Sequence, residues 1–169
     1  MAGEAENAIE KKERKRLPVV DEGLEQRRNA CWRNFLTTHA AVIDRIEEDL
    51  GEAEVLPLSW YDVLLALYEA PEHKLRMHDL ASAILVTRGG LTRLVARIEK
   101  TELLRREPDP DDGRGLYAAL TEEGLEALRT TWPVYARGIA EHFGQHLRDE
   151  EVEILDRALC RVSAAARER

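Results

Sequence analysis

Apolar residues recur every three or four positions along most of this chain, and each such run reads as one amphipathic helix. From about Leu24 to Leu50 the series Cys31, Phe35, His39, Val42, Ile46 and Leu50 predicts one long helix, with Gly51 as its stop signal. Ser59 is placed to cap a second helix, which carries Trp60, Val63, Leu64, Leu67 and Tyr68 on one face and ends at Pro71. Lys74 to Arg76 reads as an extended piece leading into a small helix, from about Met77 to Leu85, with Leu80, Ala81 and Ile84 inward. The next helix begins near Thr87. On it Leu91, Leu94, Val95 and Ile98 fall within one arc of about 100°, which predicts the buried side.

The period then changes. Leu103 to Glu107 and Gly115 to Leu120 predict two short strands, joined by Pro108 to Arg114, where proline, glycine and three aspartates favour a turn. Thr121 caps a further helix with Glu122 and Glu123 in its first turn. Its inward series is Leu125, Leu128, Trp132, Tyr135, Ile139, Phe143 and Leu147, about seven turns, with a kink expected at Pro133. A last helix follows Asp149, with Val152, Leu155, Leu159, Val162 and Ala166 at heptad-like spacing. Residues 1–20 mix charges with almost nothing to bury and read as a mobile arm.

At 169 residues, 34% charged and 44% hydrophobic, the chain is about one domain's worth of soluble helical protein. No apolar run approaches the roughly 18 residues of a membrane span, and no signal-peptide core is evident, so a cytoplasmic location is expected. The two cysteines, Cys31 and Cys160, read as core thiols of a reducing compartment. No P-loop, nucleophile elbow, HExxH or paired-carboxylate motif is present, which argues against an enzyme, and no cofactor is expected.

Charge distribution changes the picture most. The chain carries a net charge of −8, yet between Val86 and Arg106 six cations (Arg88, Arg93, Arg97, Lys100, Arg105 and Arg106) face only Glu99 and Glu102. Such a patch beside a helix-turn-helix pattern suits duplex DNA, while the acidic remainder opposes indiscriminate binding. Opposite the buried arc, Gly89, Arg93, Ala96 and Lys100 cluster, with Thr92 and Arg97 flanking and Thr87 and Arg88 in the first turn. Gly89 and Gly90 each weaken a helix by roughly 1 kcal/mol relative to alanine, and close approach of backbone to DNA accounts for them. Arginine matches guanine with two hydrogen bonds, so Arg88 and Arg93 are the first candidates for base reading. Arg114 at the hairpin tip suits a narrow minor groove, with Asp112 pairing with an arginine to direct it. Arg105 and Arg106 would hold the backbone. At least one tip aspartate should be ion-paired, with Asp109 and Asp111 directed away from phosphates. An ordinary solvated surface helix, and a protein-interaction winged helix without DNA binding, are the competing readings.

The stretch LASAILVTRGGLTRLVARIEKTELLRREPDPDDGRG, followed by ALTEEG, resembles the MarR (multiple antibiotic resistance regulator) family of winged helix-turn-helix transcription factors. Asp112-Gly113-Arg114 matches that family's D-x-R wing signature, and element order agrees over about residues 24–165. The resemblance implies a mainly α fold with a small β-wing. It divides the chain into the arm (1–20), an N-terminal dimerisation helix (21–56), a winged helix-turn-helix domain (57–120) and C-terminal dimerisation helices (121–169). It further implies a homodimer on a palindromic double-stranded operator, and repression relieved by a small ligand. Two departures stand out: Arg88-Gly89-Gly90 replaces the serine-rich start of the family's reader helix, and Glu102 replaces the glycine that usually follows it.

By the same resemblance an effector crevice would be bounded by Trp32, His39, Trp60, Tyr61, Trp132 and Tyr135, suiting a planar aromatic or phenolic acid whose carboxylate pairs with Arg33 or Arg45. Two other features compete as sensors. His142 and His146 have the i, i+4 spacing of a zinc pair, but further ligands are lacking in sequence, and surface histidines are favoured. Cys31 matches the position of a redox-sensing thiol in some members, but its place on the apolar side favours a core role.

Overall fold

The computed structural model describes residues 24–84, 88–109 and 115–167, with side chains at all of these but 24, 25, 88, 89 and 167. The N-terminal arm, Thr87, Asp111, Asp112 and Arg114 therefore lie outside the described residues. The chain separates into two compact units, one reaching Ala41 and one running from Val42, and the division falls inside the first helix.

That helix, α1, spans Leu24–Glu52. In the first unit it carries a ladder of rings, Trp32 stacked 5.8 Å from Phe35 and Phe35 6.3 Å from His39. Trp32, Phe35, Leu36 and Cys31 are all exposed. Cys31 is thus not a core thiol, because this apolar face has no covering element within its own unit. Cys160 is exposed as well.

In the second unit the C-terminal part of α1 buries Ile46 and Leu50. The helix passes through Gly51 and stops at a left-handed Glu54 (φ 53°). The Glu54 amide donates to the Gly51 carbonyl and the Val55 amide to the Leu50 carbonyl, each at 3.1 Å, which is the Schellman closure. Helix α2, Leu58–Glu69, buries Leu58, Tyr61, Val63, Leu64 and Leu67. Ser59 does not cap it. Pro57 occupies that position without a side-chain bond, and Glu47 of α1 accepts from the Leu58 amide at 3.3 Å.

A single 3-10 turn at Pro71–His73 leads into β1, Lys74–Arg76, and α3, Met77–Ala83. Helix α4, Arg88–Glu99, is followed by β2, Leu104–Pro108, and β3, Leu116–Leu120. The antiparallel sheet has the order β1-β3-β2, so the extended piece of the sequence reading completes the hairpin's sheet. Its register places Arg76 opposite Tyr117 and Arg106 opposite Ala118.

Helix α5, Glu122–His142, starts at Thr121, whose Oγ1 accepts from the Gly124 amide at 3.1 Å and donates to the Glu102 carbonyl at 2.7 Å. The helix continues through Pro133, then ends at Phe143 with a 3-10 turn, so Leu147 lies beyond it. Its inner face is rotated in part: Leu128 is buried and Leu125, Tyr135 and Ile139 pack against the core as predicted, but the inward side extends further than the apolar series marks. Gly124, Leu128, Thr131 and Gly138 are buried, while Trp132 is 52% exposed. Close approach selects the small residues: a Cβ at Gly124 would lie 2.0 Å from the Leu103 carbonyl oxygen, and one at Gly138 3.2 Å from Ile46. Helix α6, Asp149–Arg167, leaves Val152, Ile154, Leu159 and Val162 exposed. No described helix is long and apolar enough to cross a membrane.

Glu102 adopts φ 62°, a left-handed conformation in which a Cβ is unfavourable and glycine is not. The expected departure at this turn is therefore a real local strain. Glu102→Gly should raise stability by about 0.5–1 kcal/mol, the relief of strain exceeding the added freedom of the unfolded chain. A melting temperature higher by roughly 1–4 °C in calorimetry is the expected outcome.

Candidate nucleic-acid interface

Helix α4 is oriented by its apolar side. Leu91, Leu94, Val95 and Ile98 are 1%, 5%, 0% and 0% exposed, as their spacing predicts. Burying four such side chains stabilises by roughly 6–12 kcal/mol, which outweighs the helix-weakening of Gly89 and Gly90 at its start. The same rotation puts Thr92, Arg93, Arg97 and Lys100 at the surface. The helical backbone begins at Arg88 and includes Gly89 and Gly90.

The six cations of the basic stretch do not act alike. Arg106 is bound by Glu99, whose carboxylate accepts from its Nε at 2.8 Å and from its main-chain amide at 3.1 Å. This bond holds the Glu99 carboxyl below the usual range and raises the Arg106 guanidinium. It braces the end of α4 to β2 and leaves the Arg106 side chain 33% exposed. Arg105 donates to Glu107 at 2.6 Å and remains largely exposed.

The hairpin is closed where its strands end. The Asp109 amide donates to the Gly115 carbonyl at 3.0 Å. The Asp109 carboxylate, 1% exposed, lies 2.7 Å from Nη2 of Arg76. Arg76 also donates from Nε to the Tyr117 hydroxyl at 3.1 Å, with its guanidinium 5.6 Å from that ring's centre. Asp109 is thus the ion-paired aspartate that the sequence required. Arg76 and Tyr117 were not legible in advance, since β1 and β3 meet only through the sheet.

The aromatic candidates separate. Tyr61 packs edge-on against Tyr135 at 5.1 Å, and Tyr135 against Trp132 at 6.2 Å. Tyr61 and Trp132 line a cleft of about 390 Å³ between α2 and α5, together with Leu65, Tyr68, Leu125 and Arg129. Trp60 lines a different cleft, of about 600 Å³, beside Leu56, Pro57 and Thr130. Trp32 and His39 belong to the first unit. Burial, aided by neighbouring Tyr135 and Asp62, pushes the Tyr61 hydroxyl up, and burial likewise raises Tyr135, so both stay protonated donors at neutral pH. Tyr68, placed by the helical period on the apolar face of α2, and Arg129, which no period marks, were not among the effector candidates read from the sequence. Arg45 is engaged by Glu48 at 2.7 Å.

His142 is not a solvated surface histidine: its Nε2 lies 2.8 Å from an Asp49 oxygen of α1, half-buried. His146 sits exposed in the following turn. Among the described residues no group of three His, Cys, Asp or Glu side chains could hold a metal.

A helix pair ending in a cationic α4, followed by a closed hairpin and flanked by long helices, defines a winged helix-turn-helix protein. A model of the MarR family matches residues 56–115. The chain is 31% identical over 140 residues to YkoM, an HTH-type transcriptional regulator of Bacillus subtilis, covering 83% of this chain and 88% of that protein. Its fold matches AbsC, a MarR family transcriptional regulator from Streptomyces coelicolor, with a TM-score of 0.78 and 32% identity over 88% of this chain and 100% of that one. It is equally similar to Sco3205, a MarR family regulator of the same organism solved in complex with DNA, with a TM-score of 0.78 and 31% identity over 87% and 92% of the two chains. The chain belongs to the MarR family of transcriptional regulators and is not an enzyme.

The Glu99–Arg106 tie has a defined pH signature. Because the Glu99 carboxyl is held below its ordinary value of 4.5, its contribution is present above that value and disappears as pH falls through the lowered one. Glu99→Gln should lose about 0.5–1 kcal/mol at neutral pH, and the difference should vanish in acid once the carboxyl is protonated in the folded chain as well as the unfolded one. Thermal unfolding of parent and variant at neutral pH and in acid checks this.

Proposed function

We propose that this protein is a homodimeric regulator that binds a palindromic double-stranded DNA operator in the cytoplasm and represses transcription until a small effector releases it. The observation that carries the reading is α4: its apolar side is buried and its outward side offers Thr92, Arg93 and Arg97 beside a closed hairpin, in a chain of net charge −8. Arg88, Gly89 and Gly90 at the start of α4, with Thr87 before it, would meet base edges, and Arg105, Asp112 and Arg114 would serve the wing. The relative solved with DNA supports this assignment. The exposed apolar face of α1 and, separately, that of α6 would each offer dimer surface, within residues 21–56 and 121–169 that flank a reader domain at 57–120. Two-fold symmetry then matches two half-sites.

For the effector, the α2–α5 cleft offers Tyr61, Tyr68 and Trp132 as ring surfaces and, as a carboxylate partner, Arg129, whose pair with Glu126 is long at 3.5 Å and exposed. Its volume suits a planar aromatic acid.

Arg93→Ala should weaken operator binding by about 1–3 kcal/mol per half-site and blur base preference equally in both half-sites. Titration of parent and variant against a duplex selected by the parent from a randomised pool measures it; equal affinity and equal preference would remove Arg93 from the reading surface. A panel of aromatic carboxylic acids should contain members that raise the melting temperature in proportion to concentration, with Arg129→Ala abolishing the shift. A shift that survives Arg129→Ala places the acid elsewhere.

A further inference from the structure

The hairpin is anchored from outside itself. Strand β1 has only three residues and bonds to β3 alone, yet its last residue, Arg76, lies opposite Tyr117 in register and reaches the residue at which the chain leaves β2. There the Asp109 carboxylate is 1% exposed, whereas the Arg76 side chain is 45% exposed. A carboxylate so far from water is tolerated because a guanidinium 2.7 Å away compensates its charge. Tyr117 holds that guanidinium from the side, through its hydroxyl at 3.1 Å.

The other strand end is fitted to the same group. A Cβ on Gly115 would lie 2.8 Å from Cβ of Asp109 and 3.0 Å from its Oδ2, so the glycine leaves the space that the carboxylate fills. Both ends of the wing's strands therefore converge on one ion pair. The pair borders a cleft of about 500 Å³ that Thr92 of α4 and Arg106 also line, which puts it on the same side of the unit as the outward face of the reader helix.

We propose that Arg76 is a positioning residue for DNA recognition. Through Asp109 it holds the two strand ends of the wing where the wing meets DNA, without itself contacting a phosphate or a base. This rests on the DNA-reading role proposed above for α4 and the wing.

The test compares the parent, Arg76→Gln, Asp109→Asn and Arg114→Ala on a duplex selected by the parent from a randomised pool, with every base pair varied in turn at several salt concentrations. Arg76→Gln and Asp109→Asn should each weaken binding about tenfold, with the loss confined to outer positions read by the wing and the inner preferences of α4 intact. The salt slope of Arg76→Gln should equal that of the parent, because no phosphate contact is removed, whereas Arg114→Ala should lower it. If Arg76→Gln keeps the outer preferences while Arg114→Ala loses them, the positioning role is overturned and the DNA reading stands. A salt slope reduced by Arg76→Gln overturns it too, by making Arg76 a phosphate contact. Should Arg114→Ala also leave the outer positions untouched, the wing reading fails and the inference with it. If Arg76→Gln melts far below the parent, Tyr117→Phe carries the test, since it removes only the hydrogen bond to Arg76. A smaller loss at the same outer positions supports the proposal, and an unchanged profile overturns it.

Discussion

Leu91, Leu94, Val95 and Ile98 leave almost no surface to solvent, and their burial sets the rotation of α4 about its own axis. A helix turned by one position would carry its arginines into the core, where the cost of an unpaired charge far exceeds the benefit of further apolar packing. The outward placement of Thr92, Arg93 and Arg97 is therefore a consequence of packing on the opposite side. Leu64, Leu67, Leu80 and Leu104 belong to the same buried cluster, so α2, α3 and β2 are all tied to that one orientation. Two adjacent glycines can begin the helix because tertiary burial, not local propensity, supports it.

Electrostatics divides the cations of this acidic chain into two kinds. Arg76 and Arg106 are matched to Asp109 and Glu99 and act as ties between elements. Arg97 and Lys100 stand on the exposed side of α4. Compensated pairs contribute little field beyond a few ångströms, so the potential seen by an approaching polyanion comes from the second kind. The net charge of −8 over the whole chain repels phosphate wherever such exposed cations are not gathered.

Each of the two units also exposes aromatic or aliphatic surface that a folded monomer seldom leaves wet. Trp32, Phe35 and Leu36 form one such surface, and Val152, Ile154 and Val162 another. Trp132 differs, because it overhangs a cleft with polar groups at its rim. Helix α5 thus runs from the turn that carries Glu102 to the ring cluster, linking the wing's base with the cavity.

Much of this was readable from residue order. The period of 3.6 in α4, the turn formers around Asp109, the cap at Thr121 and the family pattern all depend on neighbours within a few positions, and local chemistry sets them. The rotation of α5 was not readable, because hydrophobicity points to Trp132 while the close approach of Leu103 and Ile46 selects Gly124 and Gly138. The stop after Gly51 was misplaced for a related reason: the Leu50 and Gly51 carbonyls are satisfied by a turn at Glu54 that no side chain announces. The sequence by itself determined which helices form, which side of the reader is apolar and where positive charge gathers. Only the tertiary structure decided which of those charges are already matched, since Arg76 with Asp109 and Glu99 with Arg106 meet through sheet register and packing, which spacing along the chain does not encode.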